Sequence, residues 1–287
     1  MSNFCTLCPN NCKVDKTKEK GFCGTDDKIF IAKYYLHPFE EPIISGKNGS
    51  GTIFFCGCSL KCVFCQNYEL SRSLRGKEFS VNQLAELFKL LEEKGAHNIN
   101  LVSPTHYSNK IIEALKIHKP SIPIVYNTHG YESIEILNTL NDFVDVYLPD
   151  VKFFSPSISK KYCGKDDYFS VASKAIEYMI DSKPLEFYEN GLIKKGVVVR
   201  HLVLPQNIND SKKVLEWFST QKEKAYIHVM SQYTPFGEIN NHPELKRKIS
   251  AREYNSVIDY AISLGIENMF YQEQLSADEK YIPRWDF

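Results

Sequence analysis

From residue 50 onward, short apolar runs rich in β-branched and aromatic side chains alternate with stretches of helical period. The run "GTIFF" (51–55) reads as a first strand. In "FSVNQLAELFKLLEEKG", Leu84, Leu87, Phe88 and Leu91 fall on one helical face, Ser80 and Gln83 form a capping box, and Gly95 ends the helix. "HNINLV", "IPIVYN" and "DVYLP" then read as strands separated by the helices "KIIEALKIH" and "ESIEILNTLN". A longer helical region over about 157–182 precedes the strand "GVVVRHLVLP", the helix "DSKKVLEWFST" and the strand "AYIHVM". A last helix starts at the capping box of Ser250 and Glu253 and buries Tyr254, Val257, Ile258 and Ala261.

Six strands alternating with helices predict βαβ units and a mostly parallel sheet, either closed into a barrel or open. Residues 1–49 break the pattern, with four cysteines, few apolar runs and the turn-rich "HPFEEPIISGKNGSG". The chain therefore divides into a small cysteine-rich N-terminal appendage, residues 1–49, and an α/β body, residues 50–287. The C-terminal "EKYIPRWDF" carries Tyr281, Trp285 and Phe287, too apolar a set for a free tail, and is expected to pack back on the body.

Composition narrows the function classes. Among 287 residues, 35 basic side chains balance 35 acidic ones, which argues against nucleic-acid binding by bulk charge. No apolar run approaches the roughly 20 residues that span a bilayer, and the N-terminus lacks the order of a signal peptide. A cytoplasmic protein is expected. In a reducing compartment clustered thiols bind metal more often than they pair, and eight of the nine cysteines lie in the first 65 residues.

The densest cluster is "FFCGCSLKCVFCQNYE", in which Cys58, Cys62 and Cys65 follow a C-x3-C-x2-C spacing directly after the first strand. Three thiolates on one tight loop can hold three corners of a [4Fe–4S] cube and leave one iron open, whereas structural zinc takes four ligands. A ferredoxin-type site would need a fourth cysteine. Cys56 is the nearest, but it sits at the strand end and reads as a small buried hydrophobe.

This loop, with Phe64 before its last cysteine, resembles the radical S-adenosylmethionine (SAM) superfamily. The resemblance implies a full or partial (β/α) barrel, here a partial (β/α)6 barrel, with the cluster loop at the C-terminal end of strand one. It implies that SAM chelates the open iron and that its reductive cleavage yields a 5′-deoxyadenosyl radical, which abstracts hydrogen from a substrate. Site residues are then expected where strands end. After strand two, Ser103, Thr105 and His106 in "VSPTHY" replace the family's Gly-Gly-Glu-Pro-like segment, and hydroxyls can make similar hydrogen bonds to SAM. Asn127 and Thr128 of "YNTHGY" resemble the turn near SAM in activating enzymes. Asp150 and Lys152 of "LPDVKF" resemble the Asp-x-Lys of pyruvate formate-lyase activating enzyme, implying contacts to the methionine moiety. By spacing alone that pair is also an ordinary surface ion pair. Arg200 and His201 are adjacent and face opposite sides of their strand. Gln232 and Tyr233 of "MSQYTPFG" are expected around the ribose or the substrate. Lone histidines such as His106 and His201 more often serve structure than catalysis.

Nearly the whole chain, including "CTLCPNNC" and "GFCG", is similar to the pyruvate formate-lyase activating-enzyme-like branch, which usually has Ser at position 56. The resemblance implies a glycine of a partner glycyl-radical enzyme, a peptide or a small molecule as substrate. It also implies a low-potential electron donor such as flavodoxin or ferredoxin. A non-catalytic Fe–S electron carrier is the alternative from another class. Cys5, Cys8, Cys12 and Cys23 are enough thiols to close a second site, holding either zinc or a second cluster.

Overall fold

The computed structural model describes residues 4–272; the aromatic C-terminal segment lies outside the described residues. Seven parallel strands form the body: β2 (Ser50–Phe55), β4 (Ile99–Val102), β5 (Ile124–Thr128), β6 (Val146–Pro149), β8 (Ile193–Leu202), β9 (Tyr226–Met230) and β10 (Met269–Tyr271). The six strands expected from the apolar runs are all present, and β10 adds a seventh. Two antiparallel strands extend the β2 edge, β1 (Ile29–His37) on β2 and β3 (Lys77–Phe79) on β1. A two-residue strand, β7 (Glu186–Phe187), folds back on β8. The path runs β10-β9-β8-β6-β5-β4-β2-β1-β3 without closing, so the sheet is an open, partial barrel.

Strand β1 falls within residues 1–49. Its Ile29 and Ile31 are buried in the main core, so this part of the N-terminal region joins the sheet, while the cysteine-bearing stretch before it has little regular structure beyond a Phe4–Asp15 bridge.

The helices, all but the short first one on the inner side, cover the outer face. They are α1 (Pro42–Ser45), α2 (Tyr68–Arg72), α3 (Val81–Glu93), α4 (Ser108–Ile117), α5 (Ile134–Leu140), α6 (Pro156–Cys163), α7 (Tyr168–Ser182), α8 (Ile208–Ser219) and α9 (Ala251–Ser263). Both expected capping boxes form, at the starts of α3 and α9. The single helical region expected over 157–182 is instead two helices, because Gly164 adopts a left-handed conformation (φ 71°) that caps α6.

Alternation along the strands sorts the two faces. Ile99, Leu101, Tyr126, Tyr147, Val197, Val199 and Ile227 pack outward against the helices. Val125, Val146, Leu148 and Val198 face inward, where they meet Ile44. Residues 38–46, which connect β1 to β2, thus run through the interior of the half-barrel. Asn98 Nδ2 donates to the Ile44 carbonyl (2.8 Å), Asn100 Nδ2 to Glu40 Oε1 (2.9 Å), and His228 Nδ1 lies 2.8 Å from Glu41 Oε1. One segment therefore ties β4 to β9 across the sheet.

Candidate active site

Strand β2 ends on the cysteine loop, and main-chain hydrogen bonds fix the loop on several sides. Cys56 N donates to Phe30 O (2.9 Å), Gly57 N to Leu70 O (2.8 Å), Cys58 N to Cys23 O (3.1 Å) and Val63 N to Tyr162 O (2.9 Å). Gly57 has φ 84°, and a Cβ there would lie 2.5 Å from Thr25 Cγ2 and 2.9 Å from Cys23 O. Only glycine lets the N-terminal region pack this closely on the loop. The amides of Leu60 and Lys61 point at Cys58 Sγ (3.3 and 3.5 Å).

Cys58, Cys62 and Cys65 line one cavity of about 250 Å³, together with Phe64, Ser103, Asn127, Thr128, Asp150, Lys152, Arg200 and Gln232. Eight of the ten residues expected to bind the cofactor are thus brought together with the loop thiols. Thr105 is elsewhere. The chain turns after Ser103 (φ 57°), and the Thr105 hydroxyl donates to Glu132 Oε1 (2.6 Å) instead. Tyr233 is fully buried behind the cavity wall, with its hydroxyl on the Leu245 carbonyl (2.6 Å) and its ring against Phe64. Alternation explains this, since its neighbour Gln232 takes the cavity side.

The floor of the cavity is a charged network. Asp150 accepts from Lys152 Nζ (2.6 Å) and Arg200 Nε (3.0 Å), and Arg200 Nη2 also donates to Asn127 Oδ1 (2.6 Å). Burial opposes the Asp150 charge, but Arg200 and Lys152 outweigh it and hold the carboxyl below its ordinary range. Tyr168 Oη accepts from the Lys152 amide (3.0 Å) and faces the carbonyls of Asp150 and His129 (both 2.9 Å), locking the ends of β5 and β6 together. Mostly buried and so paired, with 17% and 19% of their side chains exposed, Asp150 and Lys152 are no ordinary surface pair.

The chain between residues 52 and 218, more than half its length, matches the family model described as "Radical SAM superfamily". The chain belongs to the radical SAM superfamily. Over 93% of this chain and 76% of the relative, it is 28% identical to Uncharacterized protein MJ0674 of Methanocaldococcus jannaschii. The radical SAM fold here also resembles that of Streptococcus suis SuiB bound to precursor peptide SuiA (TM-score 0.53, 14% identity, 75% of this chain and 46% of that chain). A second SuiB structure, bound to S-adenosylmethionine, gives a TM-score of 0.52 at 14% identity over 75% of this chain and 47% of that chain. The chain thus spans about half the length of SuiB.

Soft thiolates facing a cavity with ammonium and guanidinium groups suit the iron–sulfur cluster and SAM that this radical SAM family implies. Among the described residues no three His, Cys, Asp or Glu side chains converge to grip a single ion. A cube of irons instead takes one thiolate at each of three corners. Burial raises the Cys58 and Cys65 thiols, the latter to about 12, which disfavours their free thiolates. Cys56 is fully buried, its thiol pushed up to about 12 by burial, and it does not line the cavity.

Among the N-terminal cysteines, Cys8 and Cys23 are buried and Cys5 and Cys12 half-buried. Cys12 Sγ and Cys23 Sγ flank Gly21, and Cys8 Sγ accepts from Asn10 Nδ2 (3.4 Å), which also donates to the Ser59 carbonyl of the cluster loop (2.6 Å).

Several lining residues escaped sequence reasoning. His37, Phe39 and Glu40 come from β1 and the turn after it, and Phe54 faces inward from β2. The adjacent acids of "HPFEEP" were the available signal. His129 lies at the end of β5; its Nδ1 accepts from Tyr131 N (3.1 Å), which leaves Nε2–H for Ser59 Oγ at 2.7 Å. Behind Thr128 and Thr105, Glu132 accepts from both hydroxyls, and burial pushes its carboxyl up to about 7. His106 and His201 are buried and bonded to the carbonyls of Cys56 (2.8 Å) and Val151 (2.7 Å), a structural use of both rings.

Proposed function

We propose that the protein is a radical SAM enzyme in which Cys58, Cys62 and Cys65 hold a [4Fe–4S] cluster and the adjoining cavity receives SAM. The observation that carries this reading is the shared wall: three loop thiols and the Asp150–Lys152–Arg200 network line one cavity at the C-terminal ends of the strands. When bound and reduced by one electron, the cluster supplies cleavage of SAM to methionine and a 5′-deoxyadenosyl radical, which takes a hydrogen atom from substrate to give 5′-deoxyadenosine.

The chain's own residues bind and orient. The Lys152 ammonium stays charged despite burial because Asp150 lies against it, and with Arg200 it offers a cationic wall to the SAM carboxylate. Asn127, Thr128 and Ser103 offer hydrogen bonds, with Glu132 turning the Thr128 hydroxyl. Phe64, braced edge-on by Phe153 and Tyr162, excludes water beside the thiols. A peptide is the substrate class suggested by the structural likeness to peptide-bound SuiB. The open side of the sheet favours a second reading, a glycine of a partner glycyl-radical enzyme. The N-terminal thiols would hold zinc or a second cluster beside the first.

The test uses anaerobically reconstituted protein, counting iron, sulfide and zinc and assaying 5′-deoxyadenosine after addition of dithionite and SAM. About four irons per chain with 5′-deoxyadenosine are expected, and about eight if the N-terminal thiols hold a second cluster. Iron without 5′-deoxyadenosine would favour an electron carrier. Cys62→Ala should lose the cluster and SAM cleavage together; SAM cleavage by that variant would overturn the assignment.

A further inference from the structure

The N-terminal segment inside the half-barrel brings a carboxylate to the cavity that the cluster loop shares. Glu40 lines that cavity with only 10% of its side chain exposed. Its Oε1 accepts from Asn100 Nδ2 (2.9 Å), but among the described residues its Oε2 meets only Arg200 Nη1, at 3.5 Å, the outer limit of a hydrogen bond. Arg200 is directed elsewhere, with Nε on Asp150 (3.0 Å) and Nη2 on Asn127 (2.6 Å).

Two more acceptors with spare capacity lie behind Glu40, outside the cavity lining. Asn100 Oδ1 and Glu41 Oε2 are buried without a hydrogen-bond partner among the described residues. Unmatched acceptors in a buried site are costly unless a donor fills the place. The neighbouring wall is aromatic: His37, Phe39 and Phe54 line the cavity, and Phe39 remains 63% exposed. A cavity-lining carboxylate whose outer oxygen has spare acceptor capacity, set beside aromatic side chains, matches a cation with several N–H donors.

We propose that Glu40 and this aromatic wall form the substrate subsite and bind an alkylammonium group, a lysine side chain or another primary amine. Inward position explains why the acid comes from outside the parallel strands. β4 and β8 supply Asn100 and Arg200 at this depth, and residues 38–46 reach between them. The inference rests on the radical SAM reading for its chemistry but predicts binding that needs no turnover.

The test is titration of reconstituted, SAM-loaded full-length protein at pH 8 with 2-phenylethylamine and with neutral 2-phenylethanol. The amine should bind at least about tenfold more tightly to the wild type, a difference of roughly 1.4 kcal/mol. Glu40→Gln keeps an acceptor for Asn100 and should reduce the preference to within about twofold. Equal binding of the two probes to the wild type, no binding of either, or an unchanged preference in Glu40→Gln would each overturn the proposal. So would a SAM affinity that falls as far as the amine affinity, since that would assign Glu40 to the SAM subsite. The wild-type comparison decides the matter even where the variant does not fold. Protein that discriminates the amine yet makes no 5′-deoxyadenosine would defeat the radical reading alone.

Discussion

Lys152, half-buried, and Glu132, fully buried, are ionisable groups whose charges the site handles differently. Lys152 has Asp150 at 2.6 Å, and Asp150 keeps a second cation in Arg200 if Lys152 is removed. Lys152→Ala should therefore leave the fold and the iron content intact. SAM affinity should fall about 10- to 100-fold, the worth of a hydrogen bond to a charged group, as read by equilibrium binding. Unchanged affinity would remove Lys152 from the SAM subsite. Glu132 has hydroxyl donors but, among the described residues, no cation, and burial raises its carboxyl from 4.5 to about 7. A raised folded-state value favours the protonated form, so its contribution to stability is full below about pH 4.5 and is lost as pH rises through about 7. At about 1.4 kcal/mol for each tenfold change in proton affinity, the loss is on the order of 3 kcal/mol. Relative to wild type, Glu132→Gln should gain stability by up to that amount between pH 4.5 and pH 8 in urea unfolding. A pH-independent difference would contradict the assignment. Neither residue's role was equally visible beforehand: Lys152 sat in a motif, whereas Glu132 acts through Thr105 and Thr128, a relation no spacing reveals.

Helices α3 and α9 behave as their sequences require, because caps and apolar stripes are local properties. Ser80→Ala and Ser250→Ala should each cost about 1 kcal/mol in thermal or chemical unfolding. The cluster loop is different, being shaped by what packs on it. Gly24 and Gly57 share nearly the same φ, 83° and 84°, but a Cβ meets nothing within 4 Å at Gly24 and meets Thr25 and the Cys23 carbonyl at Gly57. Gly24→Ala should carry only local backbone strain of about 1 kcal/mol. Gly57→Ala should push the N-terminal region off the loop and lower iron per chain after reconstitution. Equal iron in both variants would show that this contact does not shape the loop. The split of the expected 157–182 helix at Gly164 is likewise a backbone effect that apolar periodicity does not register.

At the scale of the molecule, residues 38–46 join the two halves of an open sheet from within. Ile44 is fully buried among inward-facing valines and leucine, so Ile44→Ala should cost about 2–5 kcal/mol, while the exposed Ile117→Ala should cost less than about 0.5 kcal/mol. Similar unfolding midpoints for the two variants would argue against the interior role of this segment. The sequence by itself determined the alternation of strands and helices, the capping boxes of α3 and α9, the opposite facing of Arg200 and His201, and the cysteine loop after the first strand. All of these follow from periods and spacings within a few residues. Tertiary structure decided that the sheet stays open and gains β1, β3 and β10 at its edges. It also decided that Thr105 and Tyr233 leave the cavity and that Glu40, His37, Phe39 and His129 enter it. Those outcomes depend on how a connection without any period of its own is threaded through the barrel, where contacts between residues 60 to 190 positions apart set its path. Such contacts leave no local pattern to read.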